Sequence, residues 1–164
     1  MDAVRLIAAG RHALARSRTA GETMAEALQA QALAQEIGSW LAVTGPPELR
    51  TEARGLGDAG RKGCATIERR APGPEPGTDG GPLRAAQLSG MEDLRQVFLG
   101  LIALLDDTVR ALTTVACAPE NDHLYWHIVE TIDTLDHSCD RVRVLLRRHA
   151  ARRGSASPTA GRGR

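Results

Sequence analysis

Apolar and small side chains recur three and four positions apart along most of the chain, the period of one face of an α-helix. Behind Asp2, an N-cap residue type, they fall at Ala3, Ile7, Gly10 and Leu14, with Arg16 and Arg18 suited to a C-terminal turn. This predicts a short first helix ending near Thr19 and Gly21. A second helix is expected from about Glu22 to Val43, carrying only Glu22, Glu26 and Glu36 as charges. Leu33, Ile37 and Trp40 form one stripe and Met24 and Leu28 lie opposite, so this helix is expected to be buried on more than one side, at the centre of a bundle. Gly45-Pro46-Pro47 ends it and starts the next, because proline is tolerated in a first helical turn and not inside one. The third helix carries Leu49, Ala53, Leu56, Gly60, Cys64 and Ile67 on one stripe. Four glycines interrupt it, each costing about 1 kcal/mol relative to alanine. Either Gly60 and Gly63 let a neighbouring helix approach closely, or the helix breaks near Gly55 or Gly57.

Ala71 to Pro82 holds four prolines and four glycines in twelve residues, which excludes regular structure there. We place a long loop at 71–87. Ser89-Gly90-Met91-Glu92 matches a capping box with Ser89 as N-cap. A fourth helix follows through Leu94, Val97, Leu101, Leu105, Thr108, Leu112 and Val115, widened by Phe98 and Leu104. Pro119 separates it from a fifth, about Glu120 to Arg153, whose seam is Tyr125, Ile128, Ile132, Leu135, Cys139, Val142 and Leu146. The two seams predict antiparallel packing across a short turn.

The fold expected is therefore all-α: an antiparallel bundle of about five helices with a Pro/Gly-rich loop at mid-chain. Composition narrows this further. With 164 residues and 17.5 kDa the chain supports one domain, placed at 1–153, followed by a disordered basic tail at 154–164. Its only aromatic residues are Trp40, Phe98, Tyr125 and Trp126, which argues against sandwiches and barrels. No apolar run approaches the roughly 20 residues of a membrane span, and no export segment is seen at the amino terminus. Cys64, Cys117 and Cys139 are odd in number and lack C-x-x-C spacing, which fits free thiols in a reducing cytoplasm.

The net charge of +1 conceals two opposed regions. Residues 1–140 hold 13 basic and 20 acidic side chains, whereas 141–164 hold eight arginines and no acid. Arg147, Arg148, Arg152 and Arg153 are thus candidate phosphate contacts. They are spread around the helix, and no aromatic residues are interleaved for base stacking. Leu33 to Gly38 resembles the start of a helix-turn-helix, but Pro46 and Pro47 fall where its recognition helix should run.

The densest set of possible ligands is His123, His127, Glu130, Asp133, Asp136, His137 and Asp140. Bundles holding metal pairs project such groups inward from several helices. Here Glu130, Asp133, His137 and Asp140 project away from the fifth-helix seam, which predicts a solvated face with local Asp–His pairs. Asp106 and Asp107 could act as acid and base, but Asp106 projects away from the seam near Arg110 one turn on, which suits a surface ion pair better. Neither a nucleophile elbow nor a phosphate-cradling glycine loop occurs, and no cofactor is expected. Trp126 and Val144 project opposite the seam, with Val129 on the flank. Either another helix, such as the first, covers them, or they mark a surface for a protein partner or a second copy. The reading favoured is a non-enzymatic interaction or regulatory module. A nucleic-acid-associated protein comes second and a metal-binding bundle enzyme third.

Three stretches, AQALAQEIGSWLAVTGPPELRTEARGL (30–56), RAAQLS (84–89) and LYWHIVETIDTLDHSCDRVRVLLRR (124–148), resemble an uncharacterised family of small helical proteins of high-GC Gram-positive bacteria. The resemblance covers most of 1–150. It implies a bacterial cytoplasmic protein and transfers no site residue.

Overall fold

Local capping chemistry sets most of the helix starts. In the computed structural model, which describes residues 1–69 and 82–156, Asp2 caps α1 (Ala3–Arg16) by accepting from the Val4 N–H at 3.0 Å. Thr19 and Glu22 form a capping box at the start of α2 (Ala20–Thr44), two orphan donors satisfied at once. The Arg18 backbone N–H, and then that of Thr19, donate to the Glu22 carboxyl and hold it below its usual range. Pro47–Leu49 makes one 3₁₀ turn that leads into α3 (Arg50–Arg69). A second 3₁₀ turn, Arg84–Gln87, precedes α4 (Leu94–Ala116). A third, Pro119–Leu124, leads into α5 (Tyr125–Ser155).

Three boundary expectations are corrected. Asp93, not Ser89, caps α4, accepting from the Gln96 N–H at 3.2 Å. Ser89 is engaged elsewhere: its hydroxyl accepts from the Met1 ammonium at 2.7 Å, and Asp2 and Gly90 form an isolated parallel bridge. The far end of the expected 71–87 loop is ordered. Arg84 donates its backbone N–H to Gln29 Oε1 at 2.8 Å and pairs with Glu26, so this turn is fastened to α2. The stretch from 71 to 81 lies outside the described residues. At the other end, α5 runs on through Gly154 and Ser155, inside the expected disordered tail, and 157–164 likewise lies outside the described residues.

The helices form a bundle in which α2 is central, packing on each of the other four. It buries ten residues, including Ala27, Ala30, Leu33, Ile37 and Leu41. Antiparallel pairing follows from the contacts. Phe98 meets His149 and Asp106 meets Arg143 between α4 and α5. Glu52 meets Arg148 between α3 and α5, and Gly38 lies on Gly57 between α2 and α3. By contrast α1 runs parallel to α4, with Ile7 on Gly100, Gly10 on Leu104 and Arg11 on Asp107.

The glycine question in α3 has one answer: the helix is continuous, and Gly60 and Gly63 admit α2. A Cβ on Gly60 would stand 2.6 Å from the Gln35 backbone nitrogen and 2.8 Å from the Gln31 carbonyl oxygen. A Cβ on Gly38 would stand 2.7 Å from the Ala53 carbonyl oxygen. The Ala34–Gly38 spacing that resembles a helix-turn-helix is thus part of this crossing, inside an unbroken α2.

Candidate functional site

The buried face of α5 comprises His127, Ile128, Thr131, Leu135, Ser138, Cys139, Val142 and Leu145. Relative to the expected seam it is rotated by about 60° at 3.6 residues per turn. Tyr125 is exposed, and Ile132 and Leu146 are only half-buried. The rotation has a cause: α5 packs against α3 and α2 as well as α4, so its Thr131–Ser138 side is covered too. The opposite side keeps its orientation. Trp126 is 70% exposed and touches Tyr125 edge-to-face, with ring centroids 5.3 Å apart. The first helix does not cover it, because α1 lies on α2 and α4. Val144 is half-buried on this outer face and Val129 is half-buried toward its flank.

His123, Glu130, Asp133, Asp136, His137 and Asp140 are all exposed. His127 is the exception, turned inward at 7% exposure with Nε2 lacking a hydrogen-bond partner among the described residues. Among those residues no three His, Cys, Asp or Glu side chains come together at metal-binding distance. The expected Asp–His pairing gives way to arginine. Arg143 holds Asp140 at 3.2 Å and Asp106 at 3.4 Å, so Asp106 does not take the expected Arg110; Arg110 and Arg11 both take Asp107 instead. Asp106 also accepts from Cys139 Sγ at 3.5 Å. Burial first, and then the Asp106 charge, push the Cys139 thiol up to about 12, so it is protonated and unreactive at neutral pH. Partial burial, then Asp140 and Asp106, raise the Asp136 carboxyl above its ordinary value.

The C-terminal arginines divide into two groups. Arg148 pairs with Glu52 at 3.0 Å and Arg152 approaches Glu48 at 3.8 Å, with Arg141 also beside Glu52 at 3.9 Å. The positive end of α5 is thereby sewn to the acidic first turn of α3. Arg147 and Arg153 are exposed and pair with no acid among the described residues. An open recess of about 370 Å³ lies over this rim, lined by Glu48, Arg148, Ala151, Arg152 and Ser155. A second, of about 190 Å³, lies on the α2–α3 crossing beside Ser39, Arg54 and Asp58.

Sequence reasoning passed over two interior polar residues. Gln31 is fully buried; its Oε1 accepts from Ser138 Oγ at 2.8 Å and its Nε2 donates to Thr134 Oγ1 at 3.2 Å. Gly63 leaves the room this amide occupies. The available signal was Gly63 facing Gln31, legible only once α2 and α3 are paired. His149 stands edge-on to Phe98 at 6.0 Å, with Nδ1 buried and without a hydrogen-bond partner among the described residues. Desolvation, then Arg153 and Arg152, hold its pKa below the ordinary histidine value.

Residues 1–148 match the family of unknown function DUF6099, and the chain belongs to that family. No curated protein and no solved structure matches it.

Proposed function

We propose that this chain is a non-enzymatic protein-interaction module of the bacterial cytoplasm, with the outer face of α5 as its contact surface. The observation that carries the reading is Trp126, an indole left 70% exposed on a rigid helix. Tryptophan in such a position is a common interface anchor, and the scaffold beneath it is closed by aliphatic packing. The recesses near the bundle surface are open, and the protonated Cys139 thiol is no nucleophile. Three unpaired thiols fit a reducing compartment. The test is a photo-crosslinking amino acid at position 126, introduced in the native host. Discrete covalent adducts are expected; their absence, with the protein folded and expressed, would overturn the reading.

Exposed Arg147 and Arg153 favour a second reading, nucleic-acid association. Glu52 and Glu48 engage two of the four candidate arginines within the chain, so the remaining positive charge is small. That reading requires mobility shifts that fall steeply with salt and are lost in Arg147→Ala/Arg153→Ala.

A further inference from the structure

The outer stripe of α5 is polarised along its length. At 3.6 residues per turn, Trp126, Asp133, His137, Asp140, Val144, Arg147 and Ala151 fall within a sector about 80° wide. Each is exposed except Val144, which is half-buried. Along the stripe Asp133 and Asp140 both precede Arg147, with the large Trp126 at one end and small Ala151 at the other.

We propose that this stripe binds the same stripe of a second copy, antiparallel, across a two-fold axis near residues 138 and 139. The proposal rests on the reading of α5 as a contact surface and names its occupant. A two-fold axis makes each contact occur twice. It sets Asp140 against His137 of the second copy, brings Asp133 within a turn of Arg147 of the second copy, and lays the indole of Trp126 over the Ala151 turn; the two Asp140 carboxylates also come within a turn, each held by Arg143 of its own chain. A parallel pairing would instead stack Asp133 on Asp133 and Arg147 on Arg147, which like-charge repulsion opposes. Arg148 stays with Glu52 at the edge of the stripe. The strip from Trp126 to Ala151 is about 38 Å long and about 10 Å wide, or about 400 Å² per copy. That area places the pair among small, reversible interfaces, so the dimer forms at high concentration and weakens with salt.

Sedimentation velocity of the full chain across a dilution series, at low and high salt, tests this. A reversible monomer–dimer equilibrium is expected, with its dissociation constant raised about tenfold or more by Trp126→Ala, by Asp133→Arg and by Arg147→Asp. The double variant Asp133→Arg/Arg147→Asp restores association, because the swapped charges meet again only in the antiparallel arrangement. A crosslinker at position 126 should yield an adduct of twice the chain mass, mapped to residues 147–155. A monomer at every concentration, or a double variant no better than the singles, overturns the proposal. Adducts at position 126 only to other proteins would overturn the second copy as occupant while leaving α5 as a contact surface. Adducts to nothing at all would sink both.

Discussion

The α2–α3 crossing and the outer face of α5 carry opposite kinds of information. At the crossing, Gly38 and Gly60 bring two backbones together, Gly63 makes room for the buried amide of Gln31, and that amide ties α2 to α5. At Gly38 and Gly60 the facing backbone leaves no room, so a single methyl is felt. On the outer face, Trp126 and the carboxylates stand in solvent and touch little of their own chain. The fold does not depend on them, which leaves their chemistry free to serve something outside it. The two regions should therefore respond oppositely to substitution.

The largest effect is expected at Gly60→Val. Its first side-chain carbon would already meet backbone atoms of α2 at 2.6 and 2.8 Å, which cannot rotate away. The helices must separate, and the loss should reach about 3 kcal/mol or more, at the severe end of overpacking. Chemical denaturation monitored by circular dichroism measures it. Gly55→Ala sharpens the contrast within the same helix. Its Cβ meets only the mobile Arg141 side chain, at 3.4 Å, so the gain in helix propensity should leave stability unchanged or raised by up to about 1 kcal/mol. Equal losses at both positions would mean that backbone approach is not what the glycines provide.

Gln31→Met comes next. It keeps the volume and removes the acceptor of the buried Ser138 hydroxyl, at a cost of about 2 kcal/mol for an orphaned polar group. Adding Ser138→Ala should recover much of this, since removing both partners is far cheaper than removing one. The coupling between the two substitutions, read from a double-mutant cycle, reports the buried bond directly.

These two sites also show where sequence was silent. The apolar stripes of α1 and α4 were legible because Leu14, Val97, Leu101, Leu105 and Leu112 repeat at helical spacing and are all buried. Central α2 was legible because three charges in its length cannot clothe a surface. Gln31, Thr131 and Ser138 were not, because a polar residue reads as outward until its partner is known, and that partner sits on another helix. The cap of α4 was misplaced for a similar reason: the Met1 ammonium, 88 positions away, holds Ser89. For α5, the outward carboxylates could be projected from the aliphatic seam, whereas the inward turn of His127 followed from α3 and α2 covering a second side. The pairing of Arg148 and Arg152 with Glu52 and Glu48 also depends on tertiary contact.

His149 lies between the two extremes, half-buried near the C-terminal end of α5. Its folded pKa is held below the ordinary 6.5 by desolvation first and by Arg153 and Arg152 after it. The unfolded chain therefore binds this proton more readily, and stability is fully present above pH 6.5 and is lost as pH falls toward the folded value. Denaturation midpoints should decrease between about pH 7 and pH 5. His149→Phe should flatten that part of the profile while leaving the remaining histidines in place. An unchanged slope would assign the loss to other groups.

The smallest effect on stability is expected at Trp126→Ala. A core tryptophan truncated this way loses about 3–5 kcal/mol, but Trp126 is 70% exposed and its ring packs against Tyr125, itself 44% exposed. The change should stay within about 0.5 kcal/mol, the usual range for surface sites. In a Trp40→Phe background, Trp126 is the only indole. Acrylamide should quench its emission readily in dilute protein. As concentration rises, the emission should move to the blue and quenching should fall, since an interface would remove the indole from water. A strongly quenched, concentration-independent spectrum together with a large loss of stability would reverse the comparison: the residue would then be holding the fold, and the α5 face would have no role beyond it.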